Sequence, residues 1–356
     1  MKNLHIIPNG NFSYSYIKFI NDNFNMEENF FIITEDSSEE KILIPTYSNV
    51  KYKKITDQNF FLFFKEIISL YFLLLKKAKQ SDNLYIHGAF NKIIIIFLFI
   101  FRGYLKKSNW IIWGGDLYCY NNRKNKFIYR IWYRIGDYVK GNFKGYITHV
   151  KGDYELAKKW YGAKGKYFNC FVYPSNLYKN ILLKEYKKEE IYIQIGNSAT
   201  TTNNHFEIFE KLRLYKNRNI KVFCILSYGD IIYAKEVISK GKEIFGDKFI
   251  AIVDYMKFDE YMEFLSKMDI AIFAHDRQQA VGNITSLLSM KKTVYLKENV
   301  TTYDMLKNLG IKIKSFDKFE NLEKFDDKIL EKNKEIVKER FSEKRLIEDL
   351  NKIFND

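Results

Sequence analysis

Proline is scarce in this chain. Three Pro and 17 Gly among 356 residues exclude a collagen-like or linker-rich polypeptide. Cysteine is equally sparse. Cys119, Cys170 and Cys224 are odd in number, far apart and never spaced as C-x-x-C. This argues against a disulfide framework or structural zinc and suits a reducing compartment. No membrane-length apolar run exists. The longest, IIIIFLFIF at 93–101 between Lys92 and Arg102, is about half of a span, and it predicts a buried helix between two strands. The opening MKNLHIIPNG has no succession of charged segment, apolar core and small-residue cleavage site, so no secretory signal is expected. Also missing are G-x-G-x-x-G, a Walker lysine, zinc-type His spacing and a D-x-D triplet at a strand end. The common nucleotide fingerprints are therefore absent, and neither a metal nor a cofactor is expected. There is no solenoid repeat and no long low-complexity tail.

What is present is apolar material: 47% hydrophobic and 17% aromatic residues, enough to fill the cores of two domains. The net charge of +15 favours anionic partners such as nucleotides, nucleic acid or an acidic membrane face. The basic residues are spread over many predicted helices rather than gathered into one aromatic-laced stripe, which disfavours nucleic acid.

Short apolar runs alternate with helix-period segments. In the first half LHII (4–7), FFIIT (30–34), LYIHG (84–88), WIIWG (110–114) and GYITHV (145–150) read as strands, with helices at 60–80 and 124–137 among the connections. A charged connector follows at 175–190. The alternation then restarts with IYIQIG (191–196), KVFCIL (221–226), FIAIVD (249–254), DIAIFA (269–274) and TVYL (293–296), and the chain ends in one or two helices. Such alternation predicts an α/β fold with parallel sheets covered on both faces. Two doubly wound domains are expected, 1–175 and 190–356, the second ending in helices. Ligands of such sheets bind beyond the carboxyl ends of the strands.

The strand ends carry the polar chemistry. Gly196 stops an apolar strand, and of the nine residues that follow, all but Ala199 are Asn, Ser, Thr or His. Asn197 and Ser198 supply amide and hydroxyl groups. Asn203 or Asn204 is expected to cap a helix beginning near His205, whose N-terminus attracts phosphate. Two strands later HDRQQAVGN (275–283) offers Arg277 for bidentate phosphate contacts and Gln278 and Gln279 for a sugar or base edge. Gly282 and Asn283 open the next helix. Tyr228 and Gly229 belong to a third polar loop. In the first half, WIIWGGDLYCY (110–120) places Gly114 and Gly115 for close backbone approach. It puts Asp116 at a strand end as a general base or hydroxyl anchor, with Trp113 and Tyr118 suited to sugar stacking. His87 and Gly88 end the preceding strand, and His149 and His275 sit at similar strand ends.

IHGAFN, WGGDLY, IGNSATTTNNH and DRQQAVGN, in this order over residues about 84–310, resemble the bacterial 4-acetamido-4,6-dideoxygalactose (N-acetylfucosamine) transferases. That family takes its sugar from a dTDP-linked donor and extends the polyprenyl-diphosphate-linked disaccharide of enterobacterial common antigen. The resemblance implies a GT-B-type glycosyltransferase, two Rossmann-like domains facing across a cleft. The acceptor is expected on the first domain, at Gly88, Trp113, Gly114, Gly115 and Tyr118. The donor is expected mainly on the second, at Gly196, Asn197, Ser198, Asn204, His205, Tyr228, Gly229, Arg277–Gln279, Gly282 and Asn283. Asp116, then His87, are expected to serve catalysis. The implied place is the cytoplasmic face of the bacterial inner membrane, in peripheral contact with its anionic surface, and the basic, apolar segment 92–107 fits a lipid-linked acceptor. The first 80 residues and the C-terminal helices show little of the family pattern, and the Thr run after Ser198, Ala280 and Asn283 depart from it, the Thr run being where donor preference is easiest to alter. The competing classes are a nucleotide-sugar-modifying enzyme, told apart by turnover without an acceptor, and a non-catalytic polyanion binder, told apart by strongly salt-dependent DNA binding.

Overall fold

The computed structural model describes residues 1–36, 47–55, 59–181 and 189–356. Residues 182–188 of the expected connector lie outside this set. The chain divides into two units, 1–175 with 344–356, and 176–343.

The first unit is built on seven parallel strands in the order β3-β2-β1-β4-β5-β6-β7: β1 (Asn3–Pro8), β2 (Asn29–Asp36), β3 (Val50–Ile55), β4 (Asn83–His87), β5 (Ser108–Ile111), β6 (Gly145–Ile147) and β7 (Lys166–Phe168). The central strands are buried on both faces, which is why they read as continuous apolar runs rather than alternating ones. Both edges escape the sequence reading. β3 is VKYKKI, whose lysines break the apolar run and suit an edge strand. β7 has only three residues. β5 ends at Ile111, earlier than expected, so 112–114 have already left the sheet.

Three helices lie side by side on this sheet: Phe60–Gln80, Lys92–Ile100 and Phe127–Gly141. The Tyr71 hydroxyl donates to the Ile93 carbonyl at 2.9 Å. The Phe99 and Tyr138 rings meet at 5.6 Å. Asn59 and Asn91 cap the first two helices by accepting from their first-turn amides. The 93–101 run does form a helix between β4 and β5, burying Ile94, Ile95, Phe97 and Leu98. Among the described residues, no helix is long and apolar enough to cross a membrane.

The second unit carries six parallel strands in the order β10-β9-β8-β11-β12-β13: β8 (Ile191–Ile195), β9 (Ile220–Ile225), β10 (Phe249–Ile252), β11 (Ile270–Phe273), β12 (Thr293–Leu296) and β13 (Lys314–Ser315). The two-residue β13 is too short to leave a pattern. The chain ends in two helices, Asp327–Arg340 and Glu343–Phe354. Assigning all of 190–356 to the second domain needs correction here, because the last helix returns to the first unit. There the Ile353 carbonyl accepts from the Tyr85 hydroxyl at 3.0 Å, and the Phe354 ring lies 5.4 Å from that of Tyr85. The apolar side of this helix (Leu346, Leu350, Ile353 and Phe354) is buried.

Candidate functional site

A doubly wound sheet has a switch point, where the connections from its central strands leave in opposite directions and open a crevice at the carboxyl edge. In the second unit β9 and β11 flank β8, so the crevice falls between the loops that follow β8 and β11. These are the two loops that carry IGNSATTTNNH and HDRQQAVGN.

The structure knits them together. Gln279 donates through Nε2 to Asn197 Oδ1 at 3.0 Å and accepts at Oε1 from the Thr202 hydroxyl at 2.9 Å. Asn203, fully buried, accepts at Oδ1 from the Asn197 amide (2.9 Å) and lies 3.1 Å from His275 Nε2. Its Nδ2 donates to the Thr200 and Ser198 hydroxyls at 2.7 and 3.1 Å. The third loop joins through Asn197 Nδ2, which donates to the Tyr228 hydroxyl at 2.7 Å, and through a bridge between Ala199 and Gly229. Gly196 has φ +60°, and a Cβ there would lie 2.6 Å from His205 Nε2, so any larger residue meets both strain and a clash. A Cβ on Gly229 (φ +117°) would likewise press to 2.5 Å from the Ala199 carbonyl.

Two helices begin here, His205–Leu212 and Val281–Ser289, and neither has a side chain capping its first amides. Asn204 does not cap the first, contrary to expectation. It takes the left-handed conformation, and its Nδ2 donates to the Ala274 carbonyl at 2.8 Å and to Asp276 at 2.6 Å. The first-turn N–H groups of both helices thus keep the positive, hydrogen-bonding character that receives phosphate. Ala280 holds φ +59° without being Gly, a local strain of the kind that gathers at ligand sites. Arg277 donates to the Gln278 carbonyl at 3.1 Å. Gly282 and Asn283 lie in the first turn of the second helix, as expected. His205 and His275 are buried, and burial depresses them to about 4 and about 3, so both are neutral supports of the loops.

In the first unit the switch point lies between β1 and β4. A cavity of about 460 Å³ occupies it, lined by Pro8, Asn9, Thr34, Phe63 and 86–95. Gly88 is in its wall. His87 also lines it but is buried and engaged on both ring nitrogens. Trp113 Nε1 donates to the Tyr173 hydroxyl at 2.6 Å, and that hydroxyl is 2.6 Å from His87 Nδ1. An indole can only donate, so the Tyr173 hydroxyl accepts from Trp113 and shares a second hydrogen bond with His87, which faces His5 through Nε2 at 3.3 Å. Burial lowers His5 to about 3 and His87 well below its ordinary value. Both are neutral links in one chain.

Asp116 is fully buried. Its carboxylate accepts from the Ala89 amide (2.8 Å), Trp110 Nε1 (2.6 Å) and the Trp113 amide (3.0 Å). Burial raises its carboxyl above the ordinary range, opposed first by the Lys140 ammonium and then by these bonds. It braces the loop after β4 against the loop after β5. Trp113 is half-buried. Gly114 and Gly115 open the short helix Gly115–Tyr118 beside it. Tyr118 turns inward and donates to Asp153 at 3.1 Å. Neither Trp113, Gly114, Gly115 nor Tyr118 lines the cavity.

Sequence reasoning missed Asn9, Thr34 and Tyr173, and it read Asn203 as a cap rather than as the buried hub of the loop. Asn9 follows a predicted strand, but its importance depends on strand order. Tyr173 lies in no motif, and its partners are 60 and 86 residues away in sequence.

Comparison with solved structures gives the same architecture over the whole chain. Sucrose-phosphate synthase from Thermosynechococcus elongatus superposes with a TM-score of 0.69 at 8% identity, covering 100% of this chain and 98% of that one. Anabaena HepE in complex with UDP and glucose gives 0.66 at 9%, covering 100% of both chains. A glycosyltransferase from Rickettsia africae gives 0.65 at 11%, covering 99% and 98%. The fold is of the GT-B type. The model of the 4-alpha-L-fucosyltransferase family, glycosyl transferase group 56, matches residues 7–328, well beyond the 84–310 on which the resemblance was read. The chain belongs to that family and is a glycosyltransferase.

Proposed function

We propose that this group 56 glycosyltransferase moves a deoxy-amino sugar, N-acetylfucosamine or a close relative, from a dTDP-linked donor to a polyprenyl-diphosphate-linked oligosaccharide. It would act at the cytoplasmic face of the inner membrane, in cell-surface polysaccharide synthesis. The observation that carries this reading is the crevice of the second unit. There Gln279 ties the loop after β11 to Asn197 and Thr202 after β8, beside two uncapped helix starts and Arg277.

The donor's diphosphate gains negative charge as the glycosidic bond breaks. Helix N-termini and a guanidinium aimed at it stabilise the transition state more than the ground state. Gly196, Asn197 and Ser198 bring backbone and polar groups to the diphosphate. Tyr228, Gly229, Gln278 and Gln279 frame the base and sugar. Asn204 and His205 hold the loop's shape rather than touching the donor. The acceptor takes the 460 Å³ cavity of the first unit. Asp116 and His87 act as positioning residues. The first fixes the Gly88 and Trp113 loops, and the second anchors Tyr173 under them.

The test is transfer itself. The protein is incubated with dTDP-N-acetylfucosamine and a polyprenyl-diphosphate disaccharide in detergent, and dTDP release and lipid-product mass are read. Acceptor-dependent release with a mass gain of one sugar is expected. Turnover of the donor without any acceptor would instead indicate a nucleotide-sugar-modifying enzyme.

A further inference from the structure

The first unit leaves an unusual amount of aromatic surface uncovered. Along the helix Phe60–Gln80, Phe61, Phe64, Ile68 and Phe72 recur at spacings of three and four residues, so they form one stripe. It lies on the side opposite the buried Leu70, Leu74 and Ala78. Phe61 is 84% exposed and Phe72 70%. The helix Phe127–Gly141 repeats the pattern at its start: Phe127 is 77% exposed and Ile128 69%, with Ile131 exposed one turn on. These two helices flank Lys92–Ile100, which contacts both through Tyr71, Phe97 and Tyr138 and adds exposed Ile96 and Ile100. Single exposed apolar residues are ordinary, but a contiguous set across three neighbouring helices marks an interaction surface.

Charge indicates what covers it. Residues 60–141 hold fourteen Lys and Arg against four Asp and Glu, so most of the chain's positive excess lies in this stretch. Lys65, Lys92, Lys124, Lys126, Arg130 and Arg134 are exposed on these same helices or at their starts. A second copy of the chain, docked face to face, would set like charges against each other. An anionic bilayer meets both demands, since headgroups take the cations while the rings enter the acyl boundary.

We propose that the outer faces of helices Phe60–Gln80 and Phe127–Gly141 are a membrane-docking surface, with Phe61, Phe64, Phe127 and Ile128 inserting and the flanking cations holding anionic headgroups. This deepens the reading of a polyprenyl-linked acceptor and rests on it. The inserting residues lie outside the expected 92–107 segment, which adds Lys92, Ile96 and Ile100 to the surface while Ile94, Ile95, Phe97 and Leu98 are buried. Phe63, in the same helical turn as Phe61 and Phe64, lines the 460 Å³ cavity. Docking therefore brings that cavity next to the bilayer, where a lipid-linked acceptor resides.

The experiment is flotation of the full chain with vesicles of phosphatidylethanolamine alone or mixed with phosphatidylglycerol, for wild type and for Phe61→Ser/Phe64→Ser/Phe127→Ser. Thermal melting and transfer to the lipid-linked acceptor in detergent are measured alongside. Wild type should float with the mixed vesicles, and the triple variant should lose at least about tenfold in partitioning while melting and transferring sugar as wild type does. A second variant, Lys124→Gln/Lys126→Gln/Arg130→Gln, should lose binding at low salt and depend less on salt than wild type. Equal flotation of wild type and triple variant overturns the docking surface. So does wild type that floats with no vesicle, or wild type that is dimeric where the triple variant is monomeric. If the triple variant loses flotation but wild type transfers no sugar to the lipid acceptor in detergent, the acceptor reading fails and the surface stands.

Discussion

Gln279 Nε2 donates to Asn197 Oδ1 at 3.0 Å across the switch point of the second sheet, joining residues that are 82 positions apart. The same glutamine accepts from Thr202, so one side chain fixes the spacing of the two loops that would receive the donor. Gln279→Ala releases both. Its expected effect is a fall in dTDP affinity of about tenfold, on the order of 1.4 kcal/mol, with a stability loss of about 1 kcal/mol. Calorimetric titration with urea unfolding measures both. A stability loss with unchanged dTDP affinity would remove Gln279 from the site.

Asp116→Ala leaves the Trp110 indole and two backbone amides buried without an acceptor. A cost of about 3 kcal/mol or more is expected, read from urea midpoints. Asp116→Asn keeps part of the bonding and should lose less stability, and its dTDP affinity should match wild type. The positioning role predicts that turnover in the Asn variant falls with the melting temperature. An Asn variant as stable as wild type yet without turnover would restore Asp116 as a direct participant.

Five histidines make folding pH-dependent. His5, His149, His205 and His275 are held at about 3, about 4, about 4 and about 3 by burial, and His87 also lies well below its ordinary value. In the unfolded chain they titrate near 6.5. Between that value and their folded values the unfolded chain binds more protons, so stability is complete above about pH 6.5 and falls as pH falls. Each contributes a slope of about 1.4 kcal/mol per pH unit. Urea unfolding between about pH 6.5 and about pH 5 should show proton uptake rising toward roughly five at the acid end, reduced by about one in His275→Gln. A pH-independent midpoint over this window would contradict the burial of these rings.

The architecture was legible because buried parallel strands leave unbroken apolar runs. FFIIT and TVYL could hardly be anything else. The edge strands were not, because Lys51, Lys53 and Lys54 in β3 serve an exposed edge and erase the pattern. The two joined loops of the second unit were legible as polar blocks after strands. Their pairing needed strand order, which no local pattern encodes. Asp116 shows a different limit. A carboxylate at a strand end reads as reactive, while its three donors, Ala89, Trp110 and Trp113, become visible only once β4 and β5 lie side by side. The outward stripe of Phe60–Gln80 was legible as a helix, but an apolar residue carries no mark saying whether it faces core or solvent.

The central claim is that the second unit's crevice holds the donor diphosphate. It is tested most directly by titrating dTDP into wild type and Arg277→Ala by calorimetry at constant salt. Saturable one-site binding by wild type, weakened at least about tenfold by loss of the guanidinium with no change in melting temperature without ligand, is the predicted result. Identical affinity in the two proteins, or no dTDP binding by wild type, would contradict it.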